Sequence, residues 1–198
     1  MKNEKRKRGF LKENYSLSWN YIKESKNYIL IIILLILFGA FTAMIYQPPE
    51  LIELIKEKIL FITQETEGLG PFGMIIYILN NNLRSSFFAM LFGIILGFMP
   101  VLSAITNGYF LGFVAGASVL EYGPIILWRL APHGIFEFPA IILALATGTK
   151  LGMFLFKKEK KKELIRRLEG SMRVFLFIIL PLFTIAAVIE GLLIILIT

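Results

Sequence analysis

The sequence of 198 residues contains no cysteine and no aspartate, and it has a single histidine, His133. Without cysteine the chain can form no disulfide, no Fe–S centre and no thiolate zinc site, and it has no thiol nucleophile. Because all fourteen acidic residues are glutamate, an aspartyl dyad and a metal site built on paired aspartates are excluded as well. The sequence predicts no enzyme, no catalytic residue and no cofactor.

Apolar residues are what the chain has in excess. Hydrophobic residues make up 57% of it, the mean hydropathy is +0.73, and there are 18 phenylalanines. They stand in long runs rather than at amphipathic spacing, which is typical of helices that face lipid. The sequence therefore predicts an all-α membrane protein with about five transmembrane helices plus short interfacial or re-entrant helices.

The apolar runs predict where the helices cross. A single transmembrane helical domain covers 28–198, and its predicted spans are 28–46, 83–99, 104–120, 132–156 and 172–197. Pro48 and Pro49 end the first span, and Pro139 should kink the fourth. Residues 72–82 and 125–131 are apolar but too short to cross, and the sequence leaves open whether they are interfacial or re-entrant.

Charge is concentrated in two basic blocks. The net charge is +7, and segments 2–26 and 157–173 each hold eight of the 21 basic residues. Basic residues that flank membrane spans mark the cytoplasmic side rather than a nucleic-acid surface. The sequence thus predicts a plasma-membrane protein with a basic cytoplasmic arm over 1–27, a basic cytoplasmic loop over 157–173 and an outside C-terminus.

The segment between the first two predicted spans has the opposite charge. Residues 50–70 carry five glutamates against two lysines, with apolar residues at helical spacing. This pattern predicts a short amphipathic helix on the outer surface, and the sequence leaves open whether it lies on the bilayer or packs on the ends of the spans.

Small residues recur at helical spacing along several predicted spans. Such stripes let helix backbones approach closely in lipid, within one chain or between two copies. We therefore expect helix packing within the chain, with a homo-oligomer left open, at Gly93, Gly97, Gly108, Gly112, Gly116, Gly148 and Gly152.

Polar side chains inside the apolar region are the candidate functional residues. A charged side chain costs about 2.5–3.5 kcal/mol at the centre of a membrane helix, so it needs a partner or a function. The predicted intramembrane polar cluster consists of Asn81, Asn82, Arg84, Asn107, Arg129, His133, Glu137 and Glu190. We expect an arginine, Arg84 or Arg129, near one of the two glutamates.

His133 and Glu137 stand four residues apart, on one face of a helix. A zinc site needs at least three protein ligands, and the chain has no second histidine, so the spacing predicts no metal site. Two interpretations stay open. These residues with Glu190 form a proton or ion pathway, as ionisable chains do in transporters, or they form a polar network that fixes how the helices pack.

Five motifs follow one another along the spans. They are Asn81-Asn82, Asn107-Gly-Tyr-Phe-Leu-Gly112, His133-Gly-Ile-Phe-Glu137, Gly148-Thr-Lys-Leu-Gly152 and Ala186-Ala-Val-Ile-Glu190-Gly191. Together, over residues 72–191, this series resembles the stage II sporulation protein M family of multi-pass membrane proteins.

The resemblance implies a role in a membrane complex. In spore-forming bacteria, members of that family look like the membrane anchor of a complex with peptidoglycan-degrading enzymes that drives engulfment. We accordingly expect a non-catalytic scaffold that binds other membrane proteins, with segments 50–66 and 157–173 as its partner surfaces. The alternative is a small ion or solute transporter with Glu137, His133 and Glu190 along its pathway.

Overall fold

In a computed structural model of the protein, the backbone is described for residues 2–197 and the side chains for residues 9–125 and 134–193. Within these bounds every regular element is helical, as the sequence predicts. The α-helices are α1 (Lys2–Glu24), α2 (Lys26–Ile45), α3 (Pro49–Thr66), α4 (Pro71–Leu91), α5 (Phe98–Tyr122), α6 (Leu127–Gly152), α7 (Lys160–Val174) and α8 (Leu180–Ile197). Short 3-10 turns lie at Phe92–Ile94, Pro124–Ile126 and Met153–Phe156, and a π-helical turn, Phe175–Ile179, joins α7 to α8.

Four stretches among the described residues are long and apolar enough to cross a membrane. They are Lys26–Ile45, Phe98–Tyr122, Gly134–Phe156 and Lys160–Leu193. The last is a continuous helix of 34 residues, about 51 Å long, whereas the hydrocarbon core of a bilayer is about 30 Å thick. Its charged first half, α7, therefore extends beyond the apolar layer.

The second predicted span has different bounds in the structure. Residues 72–82 and 83–91 belong to one helix, α4, and residues 92–97 form a turn, so no helix extends over 83–99. Pro71 is tolerated because it stands at the first helical position. The chain reverses at Gly97, whose φ of +70° favours glycine. With 21 residues, α4 is about 32 Å long, enough to cross a bilayer, but it is not among the four described stretches that are also apolar enough. The predicted count of about five spans includes α4.

Two further segments differ from the prediction. The basic segment 157–173 is not a loop, since α7 occupies most of it and buries Arg167, Gly170, Ser171 and Val174 at helical spacing. The helix that carries Glu137 begins at Leu127 rather than at Pro132. A proline this close to a helix start removes only one bond of the first turns, so the helix accommodates it.

Contacts between helices give their relative directions. Gly108 of α5 packs against the carbonyl of Ile36 in α2, and Gly112 against that of Ala40. The two helices therefore run in parallel, with the same residue spacing on each. Small residues at these positions allow the backbones to touch.

The other long helices pack around this pair and alternate with it in direction. Met90 of α4 lies against Gly148 of α6, and α8 runs antiparallel to α4, because Gly191 meets Ile75 while Phe175 meets Phe87 at 5.2 Å between ring centroids. Each helix in the series α2, α4, α5, α6 and α8 thus runs in the direction opposite to the one before it. This alternation suits a chain that crosses a membrane with each of these helices. The end of the bundle where α6 ends is called the Lys150 end below.

The centre of the bundle is the second half of α6. Residues 144–152 are all buried, with Leu145 and Ala146 packed against Ile32, Ile36 and Ala104. On the other side, Ala140 and Ala144 join a core with Met90, Val174, Phe175, Ile179 and Phe183. Helix α6 therefore packs against the α2–α5 pair on one side and against α4 and α8 on the other.

Along α7 and α8 the buried side repeats every four residues. The buried residues of this stripe are Arg167, Ser171, Phe175, Ile179, Phe183, Ala187 and Gly191. In a straight α-helix a step of four residues turns the stripe by about 40°. The π-helical turn at Phe175–Ile179 has more residues per turn and offsets part of that drift.

Candidate functional site

Lys150 is a buried charge near the end of α6, and its side chain is 5% exposed. Its ammonium nitrogen lies 3.2 Å from Glu24 Oε2 and donates to Ser25 Oγ at 3.2 Å. It also lies 3.6 Å from the ring centroid of Tyr21 and 3.5 Å from the carbonyl oxygen of that residue. A buried ammonium group is tolerated when such partners replace water, and here all of them come from the end of α1 and the residue that follows it.

Arg167 of α7 is a second buried cation at the same end, with its side chain 4% exposed. One of its Nη atoms donates to the carbonyl oxygen of Lys150, and Nε donates to Glu163 Oε2 at 3.0 Å. The carbonyls in the last turn of a helix have no partner within the helix and carry partial negative charge. Arg167 therefore caps α6 from α7.

Arg166 joins the two carboxylates of the site. It donates to Glu24 Oε2 at 3.2 Å and to both carboxylate oxygens of Glu163 at 3.2 Å each. Burial alone would raise the pKa of Glu24, but hydrogen bonds from Lys150 and Arg166 hold the pKa of this carboxyl below its usual range. Glu24 thus stays ionised and connects α1 to both α6 and α7.

Tyr21 fills the space between these helices. Its hydroxyl donates to the carbonyl oxygen of Arg167 at 3.1 Å and lies 3.4 Å from Ser171 Oγ. Its ring packs on Gly170, where any Cβ would overlap the ring carbons. Burial raises the pKa of Tyr21 to about 12, so the hydroxyl keeps its proton.

These residues form one connected set, which we call the Lys150 network: Tyr21, Glu24, Ser25, Lys150, Glu163, Arg166, Arg167 and Ser171. Its three cations form ion pairs with its two carboxylates. These contacts hold α1 and α7 against the centre of the bundle. The chemistry of the network is that of a structural clasp between three helices.

This network is not among the predicted sites, although the sequence contains one signal for it. Lys150 is a charged residue within the predicted span 132–156, and such a residue usually has a tightly paired contact or a function. Its partner Glu24 lies 126 residues away in sequence, and spacing alone gives no indication of so distant a contact.

Of the predicted polar cluster, the described side chains bring two residues together. Asn82 of α4 donates to Glu137 Oε1 of α6 at 3.0 Å, and both side chains are half-buried. Asn81 and Arg84 are exposed. Asn107 is also exposed, and it donates to the carbonyl of Ser103 on its own helix at 2.7 Å.

Glu190 lies on α8 in the same group of helices. It is half-buried and directly precedes Gly191, which packs against Ile75 of α4. Within the described part of the chain, Arg84 forms no salt bridge with either glutamate. Arg129 and His133 also belong to the predicted cluster, and their side chains lie outside the described residues.

Six of the seven predicted packing glycines lie against backbone. A Cβ at Gly93 would overlap the backbone of Gly148, and one at Gly152 would overlap Gly97 and Gly93. A Cβ at Gly97 would lie 3.2 Å from the carbonyl oxygen of Thr149. These contacts join the 92–97 turn to α6, while Gly108 and Gly112 join α5 to α2. Gly116 differs, since a Cβ there would meet no atom within 4 Å.

Two open grooves lie at the charged end. One, about 620 Å³ in volume, is lined by Glu159, Lys160, Lys161, Lys162 and Ile165. The other, about 390 Å³, is lined by Lys157, Lys158, Glu159, Glu163, Arg166 and Arg167. Both lie on the surface of α7 and the residues before it, and neither is lined by Glu137 or Glu190.

Comparisons with known proteins identify a family. The family described as Stage II sporulation protein M matches residues 28–193. A protein of Methanocaldococcus jannaschii, described as uncharacterized protein MJ0793, is 30% identical over 119 residues, which cover 57% of this chain and 66% of that relative. The match thus covers slightly less than two thirds of the relative's length. No solved structure matches the chain.

Proposed function

Because the chain belongs to the stage II sporulation protein M family, we propose that this membrane protein is a non-catalytic scaffold, a subunit that binds other membrane proteins in a complex. The proposal includes a plasma-membrane location with the basic helices α1 and α7 in the cytoplasm. Since the helices alternate in direction, α3 and the C-terminus then lie on the outer side.

The observation that carries the proposal is the uncovered apolar side of α3. This helix packs only lightly against the rest of the chain. Ile55 is buried, and the ammonium of Lys58 lies 4.7 Å from the ring centroid of Phe110 in α5. Leu54 and Phe61, seven residues apart on the same side, are each 59% exposed. An amphipathic helix held in this way offers a helical surface to a second membrane protein.

The Lys150 network supports the same function. Its charges are used within the protein to fix α1 and α7, and the two open grooves lie on the surface of α7 and the residues before it. A rigid bundle that presents an amphipathic helix on one side and a basic helix on the other suits a subunit that organises partners on both faces of a membrane.

The test is affinity purification of the full chain from native membranes, with identification of the proteins that co-purify. A variant with Leu54→Asn and Phe61→Asn should lose the partners that wild type retains. The matched control changes two exposed polar residues of the same helix, Lys56→Gln and Gln64→Asn, and should retain them. If wild type purifies alone, or if both variants retain the same partners, the scaffold proposal or its assignment to α3 is wrong.

A second candidate, ion or solute transport, is favoured by one observation. The hydrogen-bonded pair Asn82–Glu137 and the half-buried Glu190 lie in the same α4–α6–α8 group. Ionisable residues within a membrane commonly mark ion pathways. The purified chain in liposomes should then move protons or cations, and Glu137→Gln and Glu190→Gln should each slow that flux. Absence of flux from wild-type liposomes would remove this candidate.

A further inference from the structure

The Lys150 end also has a strongly charged surface that is not part of the Lys150 network. The lysine segment, residues 157–162, contains Lys157, Lys158, Lys160, Lys161 and Lys162, with Glu159 as its one acidic residue. All six side chains are exposed. Five positive charges therefore stand within six residues on the outside of the protein.

The acidic residues nearby leave most of these charges unpaired. Glu163 is held by Arg166 and Arg167, and Glu159 pairs with Lys162 at 2.9 Å. That last pair is worth little, because the two side chains are 67% and 79% exposed. Among the described residues, the other four lysines form no salt bridge.

The position of these lysines on α7 is also unfavourable for the helix itself. Lys160, Lys161 and Lys162 occupy its first turn, where the helix dipole is positive and anions rather than cations are stabilising. The charges thus do not serve the stability of α7. An external anion would relieve the repulsion.

Apolar side chains on both sides of the segment indicate what kind of anion it meets. Phe156 stands immediately before Lys157 and is 72% exposed, and Ile165 is 49% exposed in the groove that Lys160, Lys161 and Lys162 line. Phe156 also ends a stretch apolar enough to cross a membrane. Lysines in this setting keep their stems on apolar surface and extend their ammonium groups to the polar layer of the bilayer.

We propose that the lysine segment binds the phosphate groups of anionic phospholipids in the leaflet at the Lys150 end. The charge complementarity and the flanking apolar residues favour a lipid over a soluble acidic protein, which would leave Phe156 and Ile165 facing water. Bound lipid would hold α7 against the membrane surface, beside the Lys150 network.

The experiment measures lipid binding to the full chain in neutral detergent by native mass spectrometry, with phosphatidylglycerol and phosphatidylcholine titrated separately. Wild type should bind phosphatidylglycerol preferentially. Lys160→Gln with Lys161→Gln should weaken that binding about 30-fold, the effect expected of two lysines close to an anionic surface. The control, Lys12→Gln with Lys56→Gln, removes the same charge at exposed positions elsewhere and should bind as wild type does.

Two further measurements define the ligand. Lys160→Arg with Lys161→Arg should keep the preference, since charge is retained. Soluble glycerol 3-phosphate should not displace the lipid, because it lacks the acyl chains that place the phosphate beside Phe156. Equal binding of the two lipids, unchanged binding by the Lys160/Lys161 glutamine variant, or displacement by glycerol 3-phosphate would each overturn the proposal.

Discussion

The ammonium nitrogen of Lys150 lies 3.6 Å from the centroid of the Tyr21 ring, close enough for a cation–π interaction. The two residues are 129 positions apart in sequence. Lys150 belongs to a helix apolar enough to cross a membrane, and Tyr21 to the basic helix before the first of these. Through this contact the N-terminal helix is joined to the most buried part of the bundle.

The strength of this contact can be measured with a double-mutant cycle. We expect Tyr21→Leu and Lys150→Met to be coupled by about 1–2 kcal/mol, because the cation and the ring are both desolvated. The measurement is thermal or denaturant unfolding of the purified protein in detergent. A matched cycle of Tyr21→Leu with the exposed Lys12→Gln should give no coupling. Additive effects in the Tyr21–Lys150 cycle would contradict the assigned interaction.

The close approach of α6 to the 92–97 turn predicts a sharp difference between glycines. Gly148→Ala and Gly152→Ala should each destabilise the protein by about 2 kcal/mol or more, since the added methyl group meets backbone that cannot move aside easily. Gly116→Ala is the control, because its methyl group would meet no atom within 4 Å. It should be neutral or slightly stabilising. Similar melting temperatures for all three variants would show that this packing is wrong.

Glu24 predicts a specific acid sensitivity. Its pKa is lower in the folded protein than the usual 4.5, so its contribution to stability is fully present above about pH 4.5 and is lost as the pH falls through the folded pKa. Wild type should be more stable than Glu24→Gln at neutral pH, by about 1 kcal/mol or less because the carboxylate is half exposed. The difference should vanish in acid.

Comparison of the two proteins at each pH removes the contribution of the other carboxylates. The quantity to follow is the difference between their melting temperatures from pH 7 to pH 3. A difference that stays constant over this range would mean that the ionised form of Glu24 does not hold α1 in place.

The hydrogen bond between Asn82 and Glu137 predicts a contrast between adjacent residues. Asn82→Leu should cost about 0.6–1.7 kcal/mol, the range for hydrogen bonds between membrane helices. Asn81→Leu should cost less, since Asn81 is exposed and makes no side-chain hydrogen bond among those described. Unfolding in detergent measures both. Equal losses would argue against a specific role for the Asn82 amide.

The apolar runs predicted the helical class and most helix positions, because a helix that faces lipid needs a long stretch of apolar residues and such a stretch is visible in the sequence. Close packing at Gly108 and Gly148 was likewise suggested by small residues at a spacing of four. The sequence predicts the second span over 83–99 because Asn80, Asn81 and Asn82 resemble an interruption before it. In the structure α4 continues through them, and the amide of Asn82 has a partner on α6.

The charged residues were harder to predict, and the reason is physical. The partners of Lys150 come from α1 and its capping carbonyl is bound from α7, so the contacts depend on how three helices pack. The high charge of residues 157–173 predicts a loop. Their buried side, which includes Arg167 and Ser171, becomes apparent only when α6 is present to cover it.

The π-helical turn between α7 and α8 has a consequence for how this protein tolerates insertions and deletions. The π-helical turn Phe175–Ile179 contains roughly one more residue than an α-helical turn, so removal of one of its residues would restore ordinary α-helical winding and leave the faces of α7 and α8 nearly aligned. Removal of one residue from the α-helical part on either side would instead rotate Arg167 relative to the apolar stripe beyond Ile179 by about 100°, and the two would no longer face α6 together. The turn should therefore tolerate a one-residue deletion better than the helices that flank it.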